Sequence, residues 1–274
     1  MVTCQANTLT ATYRGLGRRH DALNVVEAVS VGGGQLTITT YTSGGEHYTG
    51  MIGTEGKFER RFGYWEARLR FEGAPGMWSA FWIQTPTFGR PAGDPATAGM
   101  EIDVIEHRVS DKSGKDISGP AHHAVHIGGA KSQSYVTDDL KLGSGFHTFG
   151  VQWTPTEYSF FVDGKRTWMV TPVSNRPEYI ILSSEVQDKS WAGAIPADGY
   201  GPTGVQQDQN DRGLHPLLRA PARHGTEAVS CSITRPSSGM NGGPEAAMRN
   251  IVDGRPSGDC DGDELRSADL RTRR

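Results

Sequence analysis

The chain has 274 residues, 22% of them charged, and a net charge of −3, so its bulk charge gives no case for a nucleic-acid or membrane-surface partner. Its apolar runs are a few residues long, which excludes a membrane-spanning helix, and the first thirty residues show no basic-then-apolar leader. Three cysteines, Cys4, Cys231 and Cys260, exclude a disulfide framework and a cysteine-rich metal site.

With 36 Gly and 15 Pro, the composition favours short strands and tight turns over helices. In chain order, residues 33–42 (GGQLTITTYT) alternate and are β-branched after a Gly-rich turn, which predicts a strand. Residues 64–71 (YWEARLRF) place Trp65, Ala67, Leu69 and Phe71 on one face and Tyr64, Glu66, Arg68 and Arg70 on the other. Further strands are predicted at 77–84, 100–108, 121–127, 146–154, 158–170 and 178–185. The Asp163–Gly164 pair splits 158–170 into a hairpin. No segment sustains a 3.6-residue apolar period, so the expectation is an all-β sandwich or barrel.

Aromatic residues stop early. All 6 Trp, 8 Tyr and 9 Phe fall between Tyr13 and Tyr200, and residues 201–274 contain none. That stretch is rich in Gly, Ser, Asp, Arg and Pro and cannot bury enough apolar surface to offset its ordering entropy. It is read as a disordered tail, and 19–200 as the folded domain.

The chemistry concentrates in residues 99–108, Gly-Met-Glu-Ile-Asp-Val-Ile-Glu-His-Arg. Alternation points Glu101 and Asp103 one way and Ile102 and Val104 the other. Strict alternation would then bury Glu106 without a partner, at high cost. One β-bulge near Val104–Ile105 removes the conflict and turns Glu106 onto the acidic face. The backbone between the two glutamates then spans roughly 13 Å, which leaning side chains reduce to about 5–6 Å. Retaining glycosidases hold their two carboxyls about 5–5.5 Å apart. A bare acidic strand face has no chemistry of its own, but like charges crowded on one strand are destabilising and want a reason. Nearby, MWSAFWIQ sets Trp78, Ala80, Trp82 and Gln84 on one face, and indoles beside carboxylates suit sugar rings.

These segments together resemble family 16 of the glycoside hydrolases, the laminarinase-like β-glucanases. The resemblance runs through HYTGMIGTEGKFERRFGYWEARLRF (47–71), GAPGMWSAFWIQTP (73–86), GMEIDVIEHR (99–108), GFHTFGVQWTPTEYSFFVDGKRTW (145–168) and LSSEVQDKSWAGAIPADGYG (182–201). It implies a jelly-roll sandwich of two antiparallel sheets with a sugar-binding cleft. It implies Glu101 as nucleophile, Asp103 as the assisting acid and Glu106 as general acid/base. Trp78 and Trp82 match cleft tryptophans, and His126 lies on a strand that presents a histidine to the cleft. AHHAVHI also offers His122 and His123, of which only His122 shares the parity of His126. Gln187 and Trp191 are expected to close one end of the cleft, with Glu185 as a structural partner. The resemblance further implies a retaining endo-glycosidase, secreted and monomeric, acting on β-1,3 or mixed-linked glucan without a cofactor. Some members carry a structural calcium, for which no site is readable here. Galactan hydrolysis, transglycosylation and a non-catalytic carbohydrate-binding module remain as alternatives; only the module has no use for crowded carboxylates.

The resemblance breaks at two places. After His126 the sequence runs Ile-Gly-Gly-Ala-Lys-Ser in place of an aromatic-rich loop. After Tyr200 nothing resembles the family's closing strand. Yet DQNDRGLHPLLR (208–219), back-translated and shifted forward by one base, allows Thr-Lys-Met-Thr-Val-Asp-Tyr-Ile-Arg-Phe-Tyr-Ala. That peptide reads as the missing strand, so a single-base frameshift is inferred between about Tyr200 and Asp208. Such a strand buries about three large side chains at roughly 1.5–3 kcal/mol each.

Overall fold

The computed structural model describes residues 11–32, 35–129 and 132–202, together with the backbone of two strands at 215–220 and 229–231. The first half contributes β1 (Thr12–Tyr13), β2 (Gly17–Arg19), β3 (Ala22–Asn24), β4 (Val29–Gly32), β5 (Gln35–Ile38), β6 (Tyr41–Ser43), β7 (Glu46–Thr49), β8 (Met51–Gly53), β9 (Gly63–Leu69) and β10 (Met77–Gln84). A four-residue helix, α1 (Pro95–Ala98), precedes β11 (Glu101–Arg108). Then follow β12 (His122–His126), β13 (Gln133–Val136), β14 (His147–Trp153), β15 (Tyr158–Val162), β16 (Lys165–Val170), β17 (Tyr179–Val186), β18 (His215–Ala220) and β19 (Val229–Cys231).

Two antiparallel sheets form the sandwich. One runs β1-β8-β17-β10-β11-β12-β13 and the other β16-β15-β14-β9-β18-β19. The alternation expected for 64–71 holds: Trp65, Ala67, Leu69 and Phe71 are buried between the sheets. Phe81 and Ile83 of β10, Ile102, Val104 and Ile105 of β11, and Phe149, Val151 and Phe160 of the facing sheet join them in one core. The opposite face of β10 is also apolar in part. Ala80 and Trp82 pack there with Met51, Tyr179 and Ile181 in a separate cluster. The first sheet therefore buries one face in the core and keeps the other for the site. Asp163 and Gly164 take φ values of 50° and 75°, the positive pair that a two-residue hairpin turn demands.

The run 33–42 does not form one strand. β5 ends at Ile38 and pairs only with β4, while Tyr41 begins β6 in another sheet. Between them Thr40 turns inward, and its Oγ lies 3.0 Å from Thr49 Oγ and 3.1 Å from Ser184 Oγ. A β-branched threonine fits a strand and a satisfied buried corner equally well, so period alone could not separate them. The tail assigned to 201–274 lies outside the described residues except for Gly201, Pro202, β18 and β19. β18 pairs with β9, with His215 opposite Arg68 and Arg219 opposite Glu66, and the register shifts between those pairs. Pro216 falls within it and has no N–H to give the ladder.

Glu178 is the outlier of the core. It is fully buried, and neither carboxyl oxygen has a hydrogen-bond partner among the described residues. Burial drives its carboxyl well above the usual range, and the nearby charges of Glu101 and Asp103 add to the shift. The folded pKa thus exceeds the unfolded one. Below the unfolded value both states are protonated and nothing is lost; above it, stability falls as pH rises toward the folded value. Glu178→Gln is therefore expected to match the parent at low pH and to gain on it above about pH 4.3, by up to about 1.4 kcal/mol per pH unit. Urea unfolding of both chains across pH 4–8 checks this, and parallel curves would refute it.

Replacing 208–219 with TKMTVDYIRFYA should raise the thermal midpoint by about 5 °C or more, the shift that a few kcal/mol produces in a domain of this size. Equal midpoints in calorimetry would remove the frameshift inference.

Candidate active site

The site begins with one extra residue in β11. Trp82 of β10 lies opposite Asp103 and Phe81 opposite Ile105, so Val104 has no partner of its own on that side. On the β12 side the register shifts between Asp103 and Glu106. Val104 and Ile105 both stay in the core, and Glu106 turns out beside Glu101 and Asp103. Without the bulge, one of two neighbouring apolar residues would leave the core or the glutamate would enter it.

Each carboxylate meets a partner on a neighbouring strand. Gln84 Nε2 donates to Glu101 Oε2 at 2.5 Å. His126 Nε2 lies 3.0 Å from Asp103 Oδ2, and its Nδ1 lies 2.6 Å from Ser132 Oγ. His122 Nδ1 lies 2.9 Å from Glu106 Oε2. The strand parity of His122 and His126 thus brings both to the acids. His123 points the other way into the core, where Nδ1 donates to the Val104 carbonyl at 2.7 Å and Nε2 meets Thr167 Oγ at 3.0 Å. Burial lowers its pKa to about 4, so it is a neutral structural histidine.

Burial and mutual repulsion set the electrostatics. Asp103 is almost wholly enclosed, and burial pushes its carboxyl well up, with the charges of Glu106 and Glu101 adding to the shift. Glu101 is raised as well, first by burial; Glu106 adds to the shift, while His126, Gln84 and Arg19 oppose it. Glu101, Asp103 and His126 each bring one donor atom within 4.8 Å of the others, a spacing a metal ion could use. These side chains are already engaged in hydrogen bonds that share protons, which suits acid–base work equally well.

Indoles and cations wall the site. Trp82 is buried, and its Nε1 donates to Ser183 Oγ at 3.1 Å. Trp78 lies opposite Arg108 on one side and Glu185 on the other. Trp191 meets Trp78 edge-on at 5.6 Å and His122 at 5.7 Å, and Arg108 stacks over it at 3.9 Å. Glu185 is a structural partner, accepting from Arg19 Nε at 2.6 Å and lying 3.3 Å from His20 Nε2. Gln187 is placed just past β17, where its backbone N–H donates to the Gly76 carbonyl at 2.9 Å. Two of the partners above, Gln84 and His122, are within reach of the sequence. Gln84 shares the face of Trp78 and Trp82, and His122 the parity of His126. Arg108 joins the wall of the site, and Tyr179 packs behind it, only through strand order, which the sequence does not display.

Comparison with known proteins fits this geometry. The chain matches the description "Glycosyl hydrolases family 16" over residues 17–208 and belongs to that family. It is 30% identical over 149 residues to the endo-1,3-1,4-beta-glycanase ExsH of Rhizobium meliloti (strain 1021), a match covering 50% of this chain and 29% of that protein. It is 30% identical over 151 residues to a beta-glucanase of Rhodothermus marinus, covering 50% of this chain and 49% of the relative. The chain thus spans half or less of the curated relatives it matches. Among solved structures, the laminarinase from Flavobacterium sp. UMI-01 superposes with a TM-score of 0.57 at 22% identity, covering 71% of this chain and 88% of that one. Porphyranase B from Zobellia galactanivorans gives 0.58 at 23% identity, covering 73% and 81%. These likenesses establish the jelly-roll sandwich as the fold.

Proposed function

We propose that the protein is a retaining endo-glycosidase that hydrolyses β-1,3 or mixed-linked glucan. The observation that carries this reading is the bulge at Val104, which gathers Glu101, Asp103 and Glu106 on one face of a family 16 domain. Glu106 gives its proton to the glycosidic oxygen while a Glu101 oxygen attacks the anomeric carbon. The carbon–oxygen bond to the leaving sugar breaks as the ester to Glu101 forms. Glu106, now a carboxylate, takes a proton from water; the water oxygen bonds to the same carbon and the Glu101 carboxylate leaves. Asp103, enclosed between the two, keeps their protonation states apart by sharing a proton with His126. Trp78, Trp82 and Trp191 offer apolar faces to sugar rings beside these polar groups.

The linkage follows the names of the relatives, two of which are an endo-1,3-1,4-beta-glycanase and a beta-glucanase. Polysaccharide is the partner, no cofactor takes part, and the enzyme works as a secreted monomer. No helix among the described residues is long and apolar enough to cross a membrane. The complete set of carboxylates favours catalysis over a binding module.

Reducing-end release from laminarin and mixed-linked glucan tests the reading, with agar and porphyran run in parallel as galactans. Glu101→Ala should reduce release by at least about 10³-fold while leaving the thermal midpoint near that of the parent. Turnover confined to the galactans would move the substrate, and glucan binding without turnover by the parent would establish the module. The pH dependence has a definite sign. Glu101 must be ionised to attack and its pKa is raised, so activity should fall with acid at a pH above the ordinary glutamate value of about 4.3. An acid limb below that value would contradict the assignment.

A further inference from the structure

The nucleophile sits in a row of four side chains that crosses the sheet. Tyr179 of β17 is the register partner of Gln84 of β10, Gln84 of Glu101 in β11, and Glu101 of His126 in β12. Tyr179 Oη donates to Gln84 Oε1 at 2.8 Å, and Gln84 Nε2 donates to Glu101 Oε2 at 2.5 Å. Chemistry fixes the direction. A carboxylate only accepts, so the amide must turn its NH₂ toward Glu101, and the carbonyl then faces the phenol, which can donate. Tyr179 is fully buried, and the Arg14 guanidinium lies 4.6 Å from its ring centroid. The amide is therefore held from behind by a side chain that has no room to move.

We propose that Gln84, oriented by Tyr179, is a positioning residue for Glu101. It occupies Oε2, so Oε1 is the oxygen presented to the anomeric carbon. This rests on the reading of Glu101 as nucleophile. During the first displacement the new bond forms at Oε1, and Oε2 becomes the carbonyl oxygen of the ester, still accepting from Gln84. During the second, the ester bond breaks and negative charge returns to the carboxylate, where the same N–H meets it. A donor fixed before the charge arrives needs no reorganisation when it does. Loss of the donor also removes one of the interactions that favour the ionised form of Glu101.

Gln84→Met keeps length and apolar bulk and removes the donor; Tyr179→Phe keeps the amide and removes its anchor. With both variants in the full chain, kcat, KM, the pH profile of kcat/KM and the thermal midpoint are measured on whichever glycan the parent turns over. Gln84→Met is expected to lower kcat on the order of 10²-fold, with KM within about twofold and the acid limb moved to higher pH. Tyr179→Phe should move both in the same direction by less. An acid limb and kcat equal to those of the parent would overturn the proposal, as would a fall in kcat that only tracks a lowered melting temperature. Glu101→Ala with added azide separates the two levels. An α-glycosyl azide product upholds Glu101 as nucleophile whatever Gln84 does, and its absence removes the reading on which this proposal stands.

Discussion

A strand can normally serve two faces only by alternating, and β11 has to do more than alternation allows. Five consecutive residues, Ile102 to Glu106, must supply three core side chains and two outward carboxylates. The extra residue at Val104 resolves this at the cost of one ladder position. Every other feature of the site depends on that step. It sets Glu106 opposite Ala80 and His122, and Asp103 opposite Trp82 and Ala124, so it decides which neighbours each acid can find.

Three acids on one strand are costly, and the neighbouring strands offset that cost one acid at a time. Gln84 serves Glu101, His126 serves Asp103 and His122 serves Glu106. Each partner is of a kind that suits a different duty. An amide can only stabilise the charge on the oxygen it faces, whereas an imidazole can give or take a proton. Under the proposed assignment the nucleophile has the amide, while the residues that would handle protons have the imidazoles. Environment divides three chemically similar groups into separate roles, which is the general route by which carboxylate pairs run acid and base chemistry side by side.

Much of this is legible in the amino-acid sequence. The alternation of β9, the hairpin at Asp163–Gly164 and the need for a bulge follow from residue order alone, because each is a contest between near neighbours. What the sequence hides depends on register between distant segments. Gln84 and Tyr179 are 95 residues apart, and Arg19 and Glu185 are 166 apart. No local rule brings them together. Glu178 is hidden for another reason: nothing in the order of neighbouring residues marks a charged side chain at the start of a strand as fully buried.

The same topology decides how damage at the C-terminal side would reach the site. β11 lies between β10 and β12 in one sheet, whereas β18 pairs with β9 in the other. Among the described residues no ladder connects β18 to the acidic strand. The route between them is the core, where Ile102, Val104 and Ile105 pack in one cluster with Trp65, Ala67 and Leu69 of β9. A weak partner for β9 would therefore remove none of the three carboxylates. It would loosen the surface on which the inner face of the bulged strand rests, the surface that Val104 and Ile105 fill. Fold stability and site geometry meet at those two residues, which lie in the core and yet hold Glu106 beside Glu101 and Asp103.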